Sequence, residues 1–294
     1  MASLKDIRIR IDSTKNTQQI TKAMKLVSTA KLRKAQNNVQ NMRPYALTLR
    51  EVIADIATTE KVSHPLMEQR KTVEKILVVV LGSDRGLCGG FNASINKYIE
   101  TFMKTDAKKF AKVDYIFVGR RIYDYFQRRG ISPVDYINRL DKDISYELAA
   151  KVSSRVMKDY LAGDYDEVRI VYNEFKSAIS QIVRNEKLLP IDIELSSFNA
   201  QGGQKAAFAK DLIYEPSPEA MIQQLLVKHF DLQIYRTMSE SVASEHGARM
   251  TAMENATNNA KAMIESLTLT YNKLRQEKIT TELTEITSGA EALK

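Results

Sequence analysis

Two stretches at opposite ends of this chain leave little choice of fold. From Leu4 to about Thr58 there is no Gly and one Pro; from about Glu219 to about Glu285 there is no Pro and one Gly, Gly247. Ala, Leu, Met, Gln, Glu and Lys, all strong helix formers, dominate the second stretch. Each carries a seam whose steps alternate three and four. The first reads Leu32, Ala35, Val39, Met42, Ala46, Leu49, Ile53, Ile56. The second reads Met250, Met253, Thr257, Ala260, Ile264, Leu267, Tyr271, Leu274. A 3.5-residue repeat is that of a left-handed coiled coil. A helix with one apolar stripe needs a partner stripe, so the two ends predict an intramolecular antiparallel pair. The alternative, two separate amphipathic helices on a globular core, does not account for heptad spacing sustained this long.

The ends of both helices carry signals. Ser3 or Leu4 starts the first. Pro216 and Pro218 end whatever precedes the second, with Ser217 as N-cap and Glu219 in the first turn. Pro44 predicts a tolerated bend, because the seam stays in phase through it. Small residues, Thr17, Thr21, Ala23, Ser28 and Ala30, are expected to face the contact and bring the helices close. If Thr58 stands beside Pro218, residue numbers at one level of the pair sum to roughly 276, and Leu4 meets about Asn272. The C-terminal helix then continues for about 15–20 residues, roughly 25 Å, with no partner in the chain. Its apolar residues Ile279, Leu283, Ile286 and Leu293 need cover from elsewhere.

Between the helices the pattern changes. Residues 59–73 lose periodicity and predict a linker. Ile76–Leu81 is a continuous apolar run ending in Gly, the mark of a buried parallel strand. A helix follows from about Gly90 to Lys104, a second strand at Tyr115–Gly119, and a helix through Phe126 that stops at Gly130. A third helix runs from Asp143 to Ala162, capped by Asp143 or Ser145. Val168–Phe175 is a third strand, and Ile179–Glu194 a more exposed strand pair. Residues 196–210 predict a loop. The order argues an open, Rossmann-like α/β domain with a mainly parallel sheet. The expected division is residues 1–58 and 217–294 as coiled-coil helices, and 59–216 as the α/β domain.

Charge is unevenly spread. The chain is +8 overall, and residues 1–58 carry eleven Lys/Arg against four acids. A basic stripe predicts an acidic partner, nucleic acid or protein. A nucleic-acid arm would interleave aromatics among its cations, and Tyr45 alone stands in that segment. No apolar run is long enough to span a membrane, and the N-terminus has no apolar signal core, so export is not expected. The single cysteine, Cys88, excludes an internal disulfide and a Cys-based metal cage and fits a reducing compartment. The three His show no helical ligand spacing, and no metal or cofactor is expected.

The one stretch that invites chemistry is GSDRGLCGGFN, Gly82–Asn92, at the carboxyl end of the first strand. Gly-rich turns there can cradle phosphate. It has neither a GxGxxG nor a Lys-Ser or Lys-Thr after the glycines, which leaves a nucleotide-dependent enzyme the weaker alternative. Cys88 reads as a small buried residue in a tight turn rather than a reactive thiol. His229 and His246 read as packing or surface residues.

Four stretches, NTQQITKAMKLVSTAKLRKAQ with Arg43–Ala46 (RPYA), SDRGLCGGFN, Ser244–Ala260 and Tyr271–Leu293, taken in order and spacing resemble the gamma subunit of F-type ATP synthases, bacterial type, nearly end to end. The resemblance implies a non-catalytic rotor shaft at the cytoplasmic face of a bacterial cell membrane. Its partners would be three alpha and three beta subunits, epsilon and the membrane c ring, without nucleic acid. By position it implies alpha/beta contacts at Met24, Arg249, Arg275, Gln276, Thr280 and Glu282. It implies foot contacts with epsilon and the c ring at Arg85, Cys88 and Glu215.

Overall fold

A computed structural model of the chain describes residues 3–59, 64–138, 145–192, 215 and 217–292. Both terminal stretches are single helices, α1 (Leu4–Thr59) and α5 (Pro218–Ala292). Ser3 and Asp6 cap α1 reciprocally: the Asp6 amide donates to Ser3 Oγ (3.3 Å) and the Ser3 amide to Asp6 Oδ2 (3.1 Å). Ser217 caps α5, accepting from the Ala220 amide at 3.3 Å, with Pro218 at the first helical position, where its missing N–H costs nothing. Helix α1 runs through Pro44 without interruption. Asp143 and residues 193–214 lie outside the described residues, so the alternative cap and the expected 196–210 loop go with them.

The chain divides into two compact units. One comprises residues 1–29 and 249–294, the other 30–248. The first is a helical pair. Its α1 face buries Ile7, Ile11, Thr21 and Ser28, and its α5 face buries Met253 and Ala260, with Thr257, Ile264, Leu267, Tyr271 and Leu274 half-buried. The Thr21 and Thr257 hydroxyls hydrogen-bond at 2.8 Å, and Lys25 Nζ reaches Glu254 Oε1 at 2.6 Å. These pairs fix the antiparallel register two to three residues from the expected level, so Leu4 stands opposite about Leu274. Three of the small residues do not face the contact: Thr17, Ala23 and Ala30 are exposed. They lie off the three-four phase that runs through Ile7, Ile11, Thr14, Gln18, Thr21, Lys25 and Ser28, and phase rather than size decides which side chains meet.

The larger unit is built on a five-stranded sheet: β1 (Lys75–Leu81), β2 (Lys112–Val118), β3 (Asp135–Ile137), β4 (Glu167–Phe175) and β5 (Gln181–Leu189), in the order β3-β2-β1-β4-β5. All neighbours are parallel except β4 and β5. After Lys75, strand β1 is apolar because both faces are covered. Ile76, Val78 and Val80 pack with α2 (Phe91–Lys104) and α3 (Arg120–Gln127). Leu77, Val79 and Leu81 pack with α4 (Tyr146–Leu161), with the α1 seam from Met42 to Ile56, and with Ile222, Leu226, Phe230, Ile234 and Met238 of α5. Ser145 is the α4 cap. Strand β3 was not foreseen, being three residues long. The segment expected as a linker is packed where it is described: Leu66 is buried and its carbonyl accepts from the Ile191 amide at 2.7 Å. The expected strand pair within 179–194 is the single strand β5, paired back onto β4.

Candidate functional site

Two regions carry the residues singled out above. The first is the helical pair. Beyond Leu274, residues 275–290 are all exposed, among them Ile279 (49%), Leu283 (58%) and Ile286 (68%). Burial on α5 ceases at the level where α1 begins, which is why the break falls there. The segment from Arg275 to residue 290, roughly 24 Å of helix, projects with no packed neighbour among the described residues. Polar order along this segment comes from within the helix. Thr280 Oγ1 donates to the Gln276 carbonyl at 2.9 Å, and Lys278 Nζ lies 3.6 Å from Glu282 Oε1. Arg275, Gln276, Thr280 and Glu282 are thus gathered on one exposed segment. Met24 is half-buried and Arg249 buried, both within the paired part of the same unit.

Around the pair lies a surface the seams did not predict. Ile9, Ile20, Leu26 and Val27 of α1 and Met263 and Leu269 of α5 are exposed, each at more than half of its full area. Lys5, Arg8, Arg10, Lys15 and Lys22 are exposed beside them. Apolar residues off the heptad phase were the available signal.

The second region is the Gly-rich turn after β1. Ser83 holds it together. Its amide donates to Asn92 Oδ1 (3.2 Å), its hydroxyl donates to the Arg85 carbonyl (2.8 Å), and Asn92 Nδ2 donates to Ser83 Oγ (2.7 Å). Asp84 accepts from the Arg120 amide at 2.9 Å and so caps α3. Cys88 is buried, with Asn92 Nδ2 at 3.3 Å from its sulfur. Arg85 is exposed three residues away, and the turn brings the two together. Glu215 is exposed, and no described contact joins it to them.

Glycine geometry explains why the turn has this sequence. A Cβ on Gly82 would stand 2.2 Å from Ile122 Cγ1, and one on Gly119, at φ +109°, would stand 2.6 Å from the Gly82 carbonyl. The ends of β1 and β2 therefore pass α3 at a separation no side chain permits. Among the described residues there is no group of His, Cys, Asp and Glu able to hold a metal ion, and no helix long and apolar enough to cross a membrane.

A helical pair with an exposed terminal extension in one unit, and an open α/β sheet in the other, are the parts of a central-stalk protein. The family model for ATP synthase matches residues 3–293. The chain is 69% identical over the full length of both proteins to an ATP synthase gamma chain of Bdellovibrio bacteriovorus. It is 46% identical over full length to that of Geotalea uraniireducens. Among solved structures it resembles the central stalk and c-ring assembly of the Tetrahymena thermophila mitochondrial ATP synthase, with TM-score 0.60, 25% identity, and 81% and 99% of the two chains covered. A chain of the Euglena gracilis enzyme shares the fold at TM-score 0.67 and 22% identity, covering 99% and 94%. The chain belongs to the ATP synthase gamma chain family.

Proposed function

We propose that this chain is the central rotor shaft of a proton-translocating ATP synthase. In this proposal it couples rotation of a membrane c ring to conformational cycling of three catalytic beta subunits, and itself catalyses nothing. Residues 1–58 and 217–294 form the shaft and 59–216 the foot. Met24, Arg249, Arg275, Gln276, Thr280 and Glu282 meet alpha and beta, while Arg85, Cys88 and Glu215 serve epsilon and the c ring. The complex works at the cytoplasmic face of a bacterial cell membrane, and this chain reaches the membrane only through its partners.

The observation that carries the proposal is the bare α5 extension. A single helix with exposed Ile279, Leu283 and Ile286 is marginal in water and is a stable design only if another protein encloses it. The cationic α1 face supports the same conclusion. Screened attraction to acidic surfaces is nondirectional and tolerates sliding, whereas interlocked apolar contacts do not. Lys25 is engaged by Glu254, so the test reverses exposed cations instead. Lys15→Glu with Lys22→Glu, in the assembled enzyme, is expected to leave ATP hydrolysis present and to at least halve ATP-driven proton pumping in inverted membrane vesicles. Normal pumping at normal assembly would rule out the electrostatic part. Failure to recover alpha and beta subunits with the tagged chain would rule out the whole.

A further inference from the structure

A crevice of about 360 Å³ opens between the Gly-rich turn and α3, wholly within the larger unit. Its walls include Leu87, Asn92, Asn96, Arg121, Asp124 and Arg128. The four arginines of this helix and its end fall into two classes. Arg120 pairs with Asp124 (3.5 Å), and Arg129 pairs with Glu100 (3.1 Å) while lying over the Tyr125 ring. Arg121 and Arg128, two turns apart, are the two that line the crevice. Neither side chain has a hydrogen bond or ion pair among the described residues. The Arg121 guanidinium lies against Gly86, where a Cβ would come within 3.3 Å of it.

The opposite wall supplies a second, independent sign. Asn96 lines the crevice, is more than nine-tenths buried, and its amide oxygen has no hydrogen-bond partner among the described residues. A buried acceptor left unmatched costs free energy that a bound hydrogen-bond donor would recover. The first turn of α2, preceded by Gly89 and Gly90, completes that wall and adds the positive end of a helix. Asp124 is the one carboxylate in the lining and is already engaged by Arg120, so the crevice is net cationic.

Two guanidinium groups and a helix N-terminus call for an anion, and the Asn96 acceptor calls for a hydroxyl on it. We propose that this crevice binds a small soluble phosphomonoester as its monoanion, with Arg121 and Arg128 holding the charged phosphate oxygens and the Asn96 amide oxygen accepting from the remaining P–OH. Guanidinium forks suit phosphate oxygens geometrically as well as by charge. The volume exceeds what a bare phosphate fills, and Leu87 with the Tyr125 ring offers an apolar wall for a small organic group. A phospholipid headgroup has the same chemistry but needs an apolar rim to enter the bilayer. Leu87 is the one exposed large apolar side chain lining the crevice.

The test is calorimetric titration of the full chain with inorganic phosphate and with phenyl phosphate, against sulfate at matched ionic strength. Saturable binding with Kd on the order of 1 mM or tighter is expected for phosphate, tighter for phenyl phosphate. Arg121→Gln with Arg128→Gln should weaken both at least tenfold. Both residues are exposed, so the thermal melt of the double variant should match wild type. No saturation by 10 mM, equal binding of sulfate, or unchanged binding in the double variant would overturn the proposal. Sedimentation with phosphatidic acid vesicles, lost in the double variant, without binding of soluble esters would overturn it in favour of a lipid headgroup.

Discussion

His229 shows how one buried side chain sets a pH window. Burial lowers its pKa from the usual 6.5 to about 4, and the nearby charges of Arg50 and Arg236 add to the shift. Its Nε2 has no hydrogen-bond partner among the described residues. Between pH 6.5 and 4 the unfolded chain binds a proton that the folded chain refuses, so stability falls as pH drops through that window and this contribution levels off below about 4. At 1.36 kcal/mol per pH unit the group should cost about 3 kcal/mol. Urea titrations of wild type and His229→Phe between pH 7 and 4 should differ by that slope, with the variant flatter. Asp166 acts in a different window. Burial opposes its charge, but the Lys75 and Glu74 amides and Arg70 outweigh this and hold it below the ordinary carboxylate value, so its contribution is lost only at more acid pH. A second residue-scale prediction concerns Gly82. The ideal Cβ position overlaps the Ile122 side chain in a filled core, so Gly82→Ala should destabilise by about 2–3 kcal/mol, read from the denaturation midpoint.

At the scale of elements, α5 is tied to the sheet by charge as well as by apolar packing. Arg236 lies buried between Glu186 of β5 (2.6 Å) and Glu240 one turn on (3.1 Å), with Tyr172 Oη of β4 at 3.4 Å. Burial alone would lower the Arg236 pKa, but Tyr172, Glu240 and Glu186 raise it well above its usual value, so it stays charged. Burial raises the Glu240 pKa. Further along α5, Ser244 Oγ donates to the Asn173 carbonyl (2.8 Å), and Gly247 passes Phe175 so closely that a Cβ would stand 3.0 Å from Cε2. Removing one partner of a buried ion network strands the others, so Arg236→Ala should cost about 3–5 kcal/mol and Arg236→Met less. Chemical denaturation of the two variants checks this. These contacts show why sequence captured the elements better than their attachments. Heptad phase and the apolar run of β1 are periodic signals, and α1, α5, β1 and the parallel order were legible from them. Asp135–Ile137 is too short to carry a period. Thr17, Ala23 and Ala30 were chosen for size when phase governs. Spacing offers Asp124 to both Arg120 and Arg128, each four residues away, and does not say that Arg120 takes it; Glu100 meets Arg129 only through the packing of α2 on α3.

For the molecule as a whole, the decisive feature is that the end of α5 takes no part in the packed core. The cores on the two faces of the sheet, and the paired stretch from Leu4 to about Leu274, contain the buried apolar side chains among the described residues. Residues 275–290 contribute none of them. Truncation after Leu274 therefore deletes no packed side chain among those residues, and the melt of the isolated chain should move by no more than about 1–2 °C. In the proposed enzyme the same truncation removes Arg275, Gln276, Thr280 and Glu282 together with the exposed apolar residues Ile279, Leu283 and Ile286. Single changes such as Ile286→Ala should be mild, because an enclosing apolar bearing needs continuous contact more than any one side chain. Loss of the whole extension should lower ATP synthesis in membranes several-fold at unchanged stability of the chain. A truncated chain that assembles and sustains normal synthesis would make the extension passive. One that melts far lower than wild type would mean the extension packs on the chain itself, contrary to its exposure here.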